Sequence, residues 1–86
     1  MAKYELLIKP SAVKEIDGIG DKKNRRRVVQ RILALAEDPR PKGCDKLTRQ
    51  ERYRVRQGSY RFIYTVDDTQ QTVLVVKVGH RKEVYR

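Results

Sequence analysis

The chain has 86 residues, of which 38% are hydrophobic, so it can build one small core and we expect a single domain over residues 1–86. Its 21 lysines and arginines outnumber its 11 aspartates and glutamates. The net charge of +10 predicts a polyanionic partner, either nucleic acid or an acidic protein. A single cysteine excludes an internal disulfide, and one cysteine with one histidine cannot form a structural zinc site. We expect a cytoplasmic protein without signal peptide or membrane span, because the N-terminal residues lack a long apolar run.

The first half of the chain predicts one strand followed by two helices. Residues 4–8 are typical of a short strand that stops before Pro10, and Ser11 is expected to cap the first helix. Asp21 is expected to cap a second helix, in which apolar residues recur with helical spacing. Asp38 and Pro39 end this helix, because the residue before a proline is pushed out of the helical region.

From Arg52 onward the apolar residues recur at every second position, which predicts three antiparallel strands. Turns are expected at residues 57–59 and 67–71. The predicted order is β-α-α-β-β-β, in the α+β class, with the helical hairpin packed on one face of an antiparallel sheet.

Several basic side chains are predicted to share the sheet face that the helices leave uncovered. A two-residue loop at Gly58 places Arg54 or Arg56 opposite Arg61, and matching the apolar residues 60, 62 and 64 to residues 78, 76 and 74 places Arg61 opposite Lys77. The predicted face shows almost no acid and carries Arg52, Arg54, Arg56, Arg61, Lys77 and, by continued alternation, Arg81. Like charges opposite each other are destabilising, so the cluster favours an anionic ligand such as phosphate. The alternative is a solvated strand face.

A second basic run lies at the start of the second predicted helix, at residues 22–27. Positive charge is unfavourable there because it opposes the helix dipole. The run either touches a phosphate backbone or is a solvated helix surface.

The distribution of reactive residues leaves metal-independent RNA cleavage as the chemistry to consider. The adjacent carboxylates Asp67 and Asp68 lie in a predicted turn, so we expect neither a metal site nor a cofactor. Attack of a 2′-OH on the adjacent phosphate needs only a base, an acid and cations. Tyr85 is a candidate base, since nearby cations lower a phenol pKa, or it is an aromatic packed on the sheet edge. His80 is either an acid or an ordinary surface histidine.

The motifs YRVR at residues 53–56, GSYRFIYTV at 58–66 and VGHRKEVY at 78–85 resemble those of RelE-type toxins of the RelE/ParE superfamily. The resemblance covers essentially the whole chain and implies a RelE-like microbial RNase fold. It also implies a ribosome-dependent endoribonuclease that enters the A site, cuts mRNA by 2′-OH attack without metal and so inhibits translation. The implied partners are the ribosome with its RNA, mRNA and a RelB-like antitoxin.

The resemblance also assigns roles to individual residues. Arg54 and Arg56 correspond to the two basic positions that stabilise the phosphate, and Arg61 corresponds to an arginine that contacts it. Arg81 corresponds to the proposed general acid, with His80 as the alternative, and Tyr85 to the proposed general base. Further contacts with RNA or the ribosome are expected from Lys22, Lys23, Arg25, Arg26, Arg52, Lys77 and Lys82. Two alternatives stay open: a ParE-like inhibitor of DNA gyrase and a non-catalytic RNA-binding module.

Overall fold

The structure is a computed structural model that describes residues 3–47 and 52–80. Its elements in chain order are β1 (Glu5–Ile8), α1 (Pro10–Asp17), α2 (Lys22–Ala34), β2 (Asp45–Lys46), β3 (Arg52–Gln57), β4 (Tyr60–Asp67) and β5 (Thr72–His80). The α+β class, the helical hairpin and the three long antiparallel strands are confirmed. The two-residue strand β2 was not predicted.

The strands form one mixed sheet in the order β1-β5-β4-β3-β2. Strands β2 to β5 pair antiparallel with their neighbours, whereas β1 joins the edge parallel to β5 and extends only as far as Val75 along it. Beyond that point α1 packs beside β5, and the Val78 N–H donates to the Glu15 carboxylate at 3.1 Å. A helix side chain thus satisfies a backbone group that β1 does not reach.

The helix boundaries follow local chemistry. The expected Ser11 cap is wrong: Lys9 holds the cap position and Pro10 begins α1, because the fixed φ of proline suits the first helical residue. The Asp21 cap is confirmed, since its carboxylate accepts from the Lys23 N–H at 2.9 Å and the Asn24 N–H at 3.4 Å. Helix α2 ends at Ala34, earlier than predicted, because residues 35–37 bond to carbonyls three positions back and tighten the last turn.

Both helices pack on the same face of the sheet and form the core with it. Phe62, Tyr64 and Val55 are fully buried beneath Val28 of α2 and Ala12 of α1. The opposite face, which the helices do not cover, is called the outer face below. Within residues 3–47 and 52–80, neither helix is long and apolar enough to cross a membrane.

The predicted pairing of β4 with β5 is wrong in its register. Arg61 lies opposite Gly79 rather than Lys77, and Lys77 lies opposite Ile63. A β-bulge makes Val76 an extra residue in β5, so the buried residues are Val73, Val75 and Val78 instead of 74, 76 and 78. The stretch from 73 to 76 is apolar throughout, and its alternation therefore carries no information about which residues face the core.

Candidate nucleic-acid interface

The loop between β3 and β4 fixes the alignment of the arginines. Gln57 pairs with Tyr60, which leaves the two-residue loop Gly58–Ser59, and Gly58 adopts a φ of 61°. Such a loop with glycine first is typical of a type II′ turn, whose twist matches that of the flanking strands. The register places Arg56 directly opposite Arg61, as one of the two predicted alternatives requires.

The predicted basic face is confirmed for its described members. Arg54 lies opposite Ile63 and Arg52 opposite Thr65, so Arg52, Arg54 and Arg56 share the outer face with Arg61. Lys77 also lies on this face. It pairs directly with Ile63, an outer-face residue, because the bulge at Val76 shifts the alternation of β5 by one residue. Arg52 and Arg56 are exposed, whereas Arg54, Arg61 and Lys77 are half-buried.

Among the described residues, an acidic side chain that the sequence did not predict lies directly beside the arginines of this face. Asp45 of β2 lies opposite Arg54, and its carboxylate accepts from the Arg54 guanidinium at 3.1 Å. The Arg54 side chain is only 15% exposed, against 49% for Asp45. Sequence reasoning missed this pair because a two-residue strand has no periodicity to recognise.

His80 lies on the helix-covered side of the sheet. It pairs with Tyr60, and their rings meet edge to face at 5.7 Å between centroids. A cavity of about 270 Å³ adjoins them, lined also by Glu15, Gly18 and Ile19. Because neighbours along a strand face opposite sides, His80 points away from the face that carries Arg61.

The basic run at the start of α2 lies at the same end of the molecule as Arg56 and Arg61. The first atom of a side chain placed at Gly58 would lie 3.7 Å from the Asn24 side-chain oxygen, so the first turn of α2 adjoins the β3–β4 loop. Lys22, Lys23 and Arg26 are exposed there. Arg25 is half-buried and donates to the Ile19 carbonyl at 3.4 Å, so part of its role is to tie the two helices together.

The other end of the sheet holds an arginine of a different kind, which sequence reasoning did not single out. Arg40 donates to both oxygens of Asp68, at 3.1 and 2.8 Å, and to the Tyr53 hydroxyl at 3.0 Å. The Tyr4 hydroxyl donates to Asp68 at 2.7 Å. We call these four residues the Arg40 clasp. The hydrogen bonds from Arg40 and Tyr4 hold the pKa of Asp68 below its usual value, and the same carboxylate raises the pKa of Tyr4.

Three predicted site residues, Arg81, Lys82 and Tyr85, lie outside the described residues. The catalytic roles given to the arginines and His80 are not tested by the geometry and stay predictions. Within the part of the chain that the structure describes, no three His, Cys, Asp or Glu side chains cluster closely enough to hold a metal ion.

Comparison with known proteins identifies the relatives of this chain. A family model described as the ParE toxin of type II toxin-antitoxin system, parDE, matches residues 6–85. The chain is 41% identical over 34 residues to Toxin RelG of Mycobacterium tuberculosis, an alignment that covers 40% of this chain and 39% of that relative.

Solved structures match over a longer span. Escherichia coli toxin RelE, as a double arginine-to-alanine variant in the free state, is 31% identical with a TM-score of 0.78, covering 99% of this chain and 92% of the other. An archaeal RelE-RelB complex from Pyrococcus horikoshii contains a chain with 26% identity and a TM-score of 0.82, covering 94% and 98%. The chain therefore belongs to the RelE/ParE family of toxins from type II toxin-antitoxin systems.

Proposed function

We propose that the protein is a ribosome-dependent endoribonuclease that cuts mRNA in the A site and thereby inhibits translation. The observation that carries the proposal is the pairing of Arg56 directly opposite Arg61 on a face that the helices leave open. Two like charges in this position destabilise the free protein. A phosphate between them removes that repulsion and accepts hydrogen bonds from both guanidinium groups.

The proposed reaction needs no metal. The 2′-oxygen attacks the adjacent phosphorus and gives up its proton to a base, while the bond from phosphorus to the 5′-oxygen breaks and that oxygen takes a proton from an acid. Negative charge develops on the phosphate oxygens in the transition state. Arg54, Arg56 and Arg61 supply positive charge there, and this electrostatic role requires no proton transfer from them.

The acid and base are assigned to residues outside the described part of the chain. We propose Tyr85 as the base and Arg81 as the acid, following the motif that they share with the family. His80 is the less favoured acid, because its strand position directs it towards the helices rather than towards Arg61. The Arg54 guanidinium is held at the outer face by Asp45 before substrate arrives, which lowers the entropic cost of ordering it.

The proposed partners are the ribosome, mRNA and a cognate RelB-like antitoxin that blocks the basic face. Two of the structural neighbours are RelE chains in complex with RelB, from Pyrococcus horikoshii and Escherichia coli. An acidic antitoxin segment suits a chain with a net charge of +10. Action on ribosomes places the protein in the cytoplasm.

The test is primer extension on mRNA bound to programmed ribosomes, with free RNA and EDTA-treated samples alongside. The wild-type protein should cut only ribosome-bound mRNA, with or without EDTA, and Arg61→Ala, Arg81→Ala and Tyr85→Phe should cut far less. If the wild-type protein binds ribosomes and leaves the mRNA intact, the protein is an RNA-binding module and the nuclease proposal is wrong.

The description of the matching family supports a second candidate, a ParE-like inhibitor of DNA gyrase. In that case the outer face is a docking surface, and no cleavage of mRNA is expected. Expression of the protein should then produce gyrase-linked DNA breaks. A separate measurement of translation should show no inhibition.

A further inference from the structure

A groove of about 380 Å³ opens beside the outer face, where the chain passes from β1 into α1. We call it the lateral groove. Lys9, Ser11 and Glu15 line it on the side of the helix. Ile63 forms part of its floor and pairs with Arg54 on one side and Lys77 on the other, so the groove is continuous with the row of arginines.

The β-bulge in β5 creates the sheet side of this groove. With regular alternation from the buried Val75, Lys77 would point into the core, which would bury its charge. The extra residue changes the alternation, so that Val76 and Lys77 both line the groove. Bulges are frequent beside functional sites, where they redirect a side chain. Here the redirected side chain is a lysine next to an apolar floor.

The walls of the lateral groove suit an anion attached to an apolar body. Positive charge comes from Lys9 in the connection between β1 and α1, from Arg52 of β3 and from Lys77 of β5. The acid among them, Glu15, already accepts a hydrogen bond from the Val78 N–H, which offsets part of its charge. The groove has a volume of about 380 Å³, within the range of small-ligand sites, which is roughly 300–1,000 Å³.

We propose that the lateral groove binds one nucleotide of single-stranded RNA, with its phosphate at Lys9, Arg52 and Lys77 and its base or sugar on Ile63 and Val76. The proposal rests on the proposed nuclease function and adds a second subsite, beside the one that holds the reacting phosphate. A nucleotide fits better than an acidic peptide, because the groove places the apolar side chains of Ile63 and Val76 beside its cations, and an unstacked base can pack against them.

The main test is binding of fluorescein-labelled hexauridine to the full chain, followed by anisotropy over a range of salt concentrations. The variant is Lys9→Ala, whose side chain makes no capping bond to α1, and the matched control is Lys42→Ala, an exposed lysine away from the groove. Lys9→Ala should bind roughly three- to tenfold more weakly and show a salt slope smaller by about 0.7, the loss of one phosphate contact. Lys42→Ala should match the wild type.

A second variant addresses the floor of the groove. Val76→Glu adds negative charge beside the expected phosphate and should weaken hexauridine binding further, while circular dichroism shows an unchanged fold. The proposal is overturned if Lys9→Ala and Val76→Glu bind hexauridine and ribosomes as the control does. It is also overturned if a hexaglutamate peptide binds as tightly and with the same dependence on Lys9.

Two further arms separate this proposal from the nuclease proposal. On programmed ribosomes, Lys9→Ala should raise KM and leave kcat unchanged, whereas Arg61→Ala should lower kcat. If the wild-type protein does not cut but binds hexauridine through Lys9, the nuclease proposal fails and the groove stands. If Lys9→Ala weakens binding to hexauridine and also to ribosomes without mRNA, the bound nucleotide is ribosomal; if binding to those ribosomes is unchanged, the nucleotide belongs to the mRNA.

Discussion

The arginines at the two ends of the sheet have opposite electrostatic surroundings. At one end the Arg40 guanidinium donates to both oxygens of Asp68 and to Tyr53, so its charge is balanced inside the protein. At the other end Arg56 lies directly opposite Arg61, and positive charge is concentrated. The first arrangement stabilises the fold. The second lowers its stability at the place where an external phosphate is expected, because like charges face each other across the strands.

The largest expected effect tests the second end. Arg61→Ala should lower mRNA cleavage on programmed ribosomes by about 10²- to 10³-fold, the usual loss when one donor to a developing oxyanion is removed. The free energy of unfolding should change by less than about 1 kcal/mol, because removal of the repulsion with Arg56 offsets the loss of the contacts that Arg61 itself makes. Single-turnover cleavage and urea unfolding measure the two quantities. If the cleavage rate falls only in proportion to the loss of folded protein, Arg61 is a structural residue.

Arg40→Ala should have the complementary effect at the first end. The Arg40 side chain is 38% exposed, so we expect a loss of only about 1 kcal/mol in the free energy of unfolding. Cleavage per folded molecule should not change, since the clasp lies away from the proposed site. Urea unfolding with cleavage assays well below the denaturation midpoint would check this. A fall in kcat would contradict the separation of the two ends.

The stabilising effect of the clasp should depend on pH. Asp68 has a lowered pKa in the folded protein, so its contribution is present above the unfolded value of about 3.9 and is lost as the pH falls through the lower folded value. The difference between wild type and Arg40→Ala should therefore shrink as the medium is acidified below about pH 4. In an Asp68→Asn background, Arg40→Ala should show no such pH dependence.

The smallest expected effect concerns the opposed arginines. Arg56→Gln should raise the free energy of unfolding by about 0.2–1 kcal/mol, the typical range for a cross-strand pair. Arg52→Gln is the matched control, because Arg52 lies opposite the uncharged Thr65. A gain of the same size in both variants would point to general charge reduction rather than to the Arg56–Arg61 pair.

Much of the outer face could be predicted from the sequence, because two strong local signals define it. Gly58 marks a two-residue loop, and the alternation of Tyr53 and Val55 with arginines shows which side of β3 faces the core. These signals place Arg54, Arg56 and Arg61 together without knowledge of the rest of the fold.

The remaining features depend on contacts between distant parts of the chain. Lys77 was predicted on the correct face, but from a register that lacked the bulge. The residues before it are all apolar, so the sequence does not show which of them face the core. The Asp45–Arg54 pair and the Arg40–Asp68 pair join residues that are 9 and 28 positions apart, and no periodicity links their sequences. Such pairs become visible only once the strands and loops are assembled.

The two-residue loop at Gly58–Ser59 also limits how this protein can vary over evolution. A substitution elsewhere in the hairpin changes one side chain, but a one-residue insertion or deletion in the loop shifts the pairing of β3 with β4. Because successive residues face opposite sides, such a shift turns Arg61 towards the helices and Phe62 towards solvent. Selection on the arginine face should therefore preserve the length of this loop as strictly as it preserves the arginines.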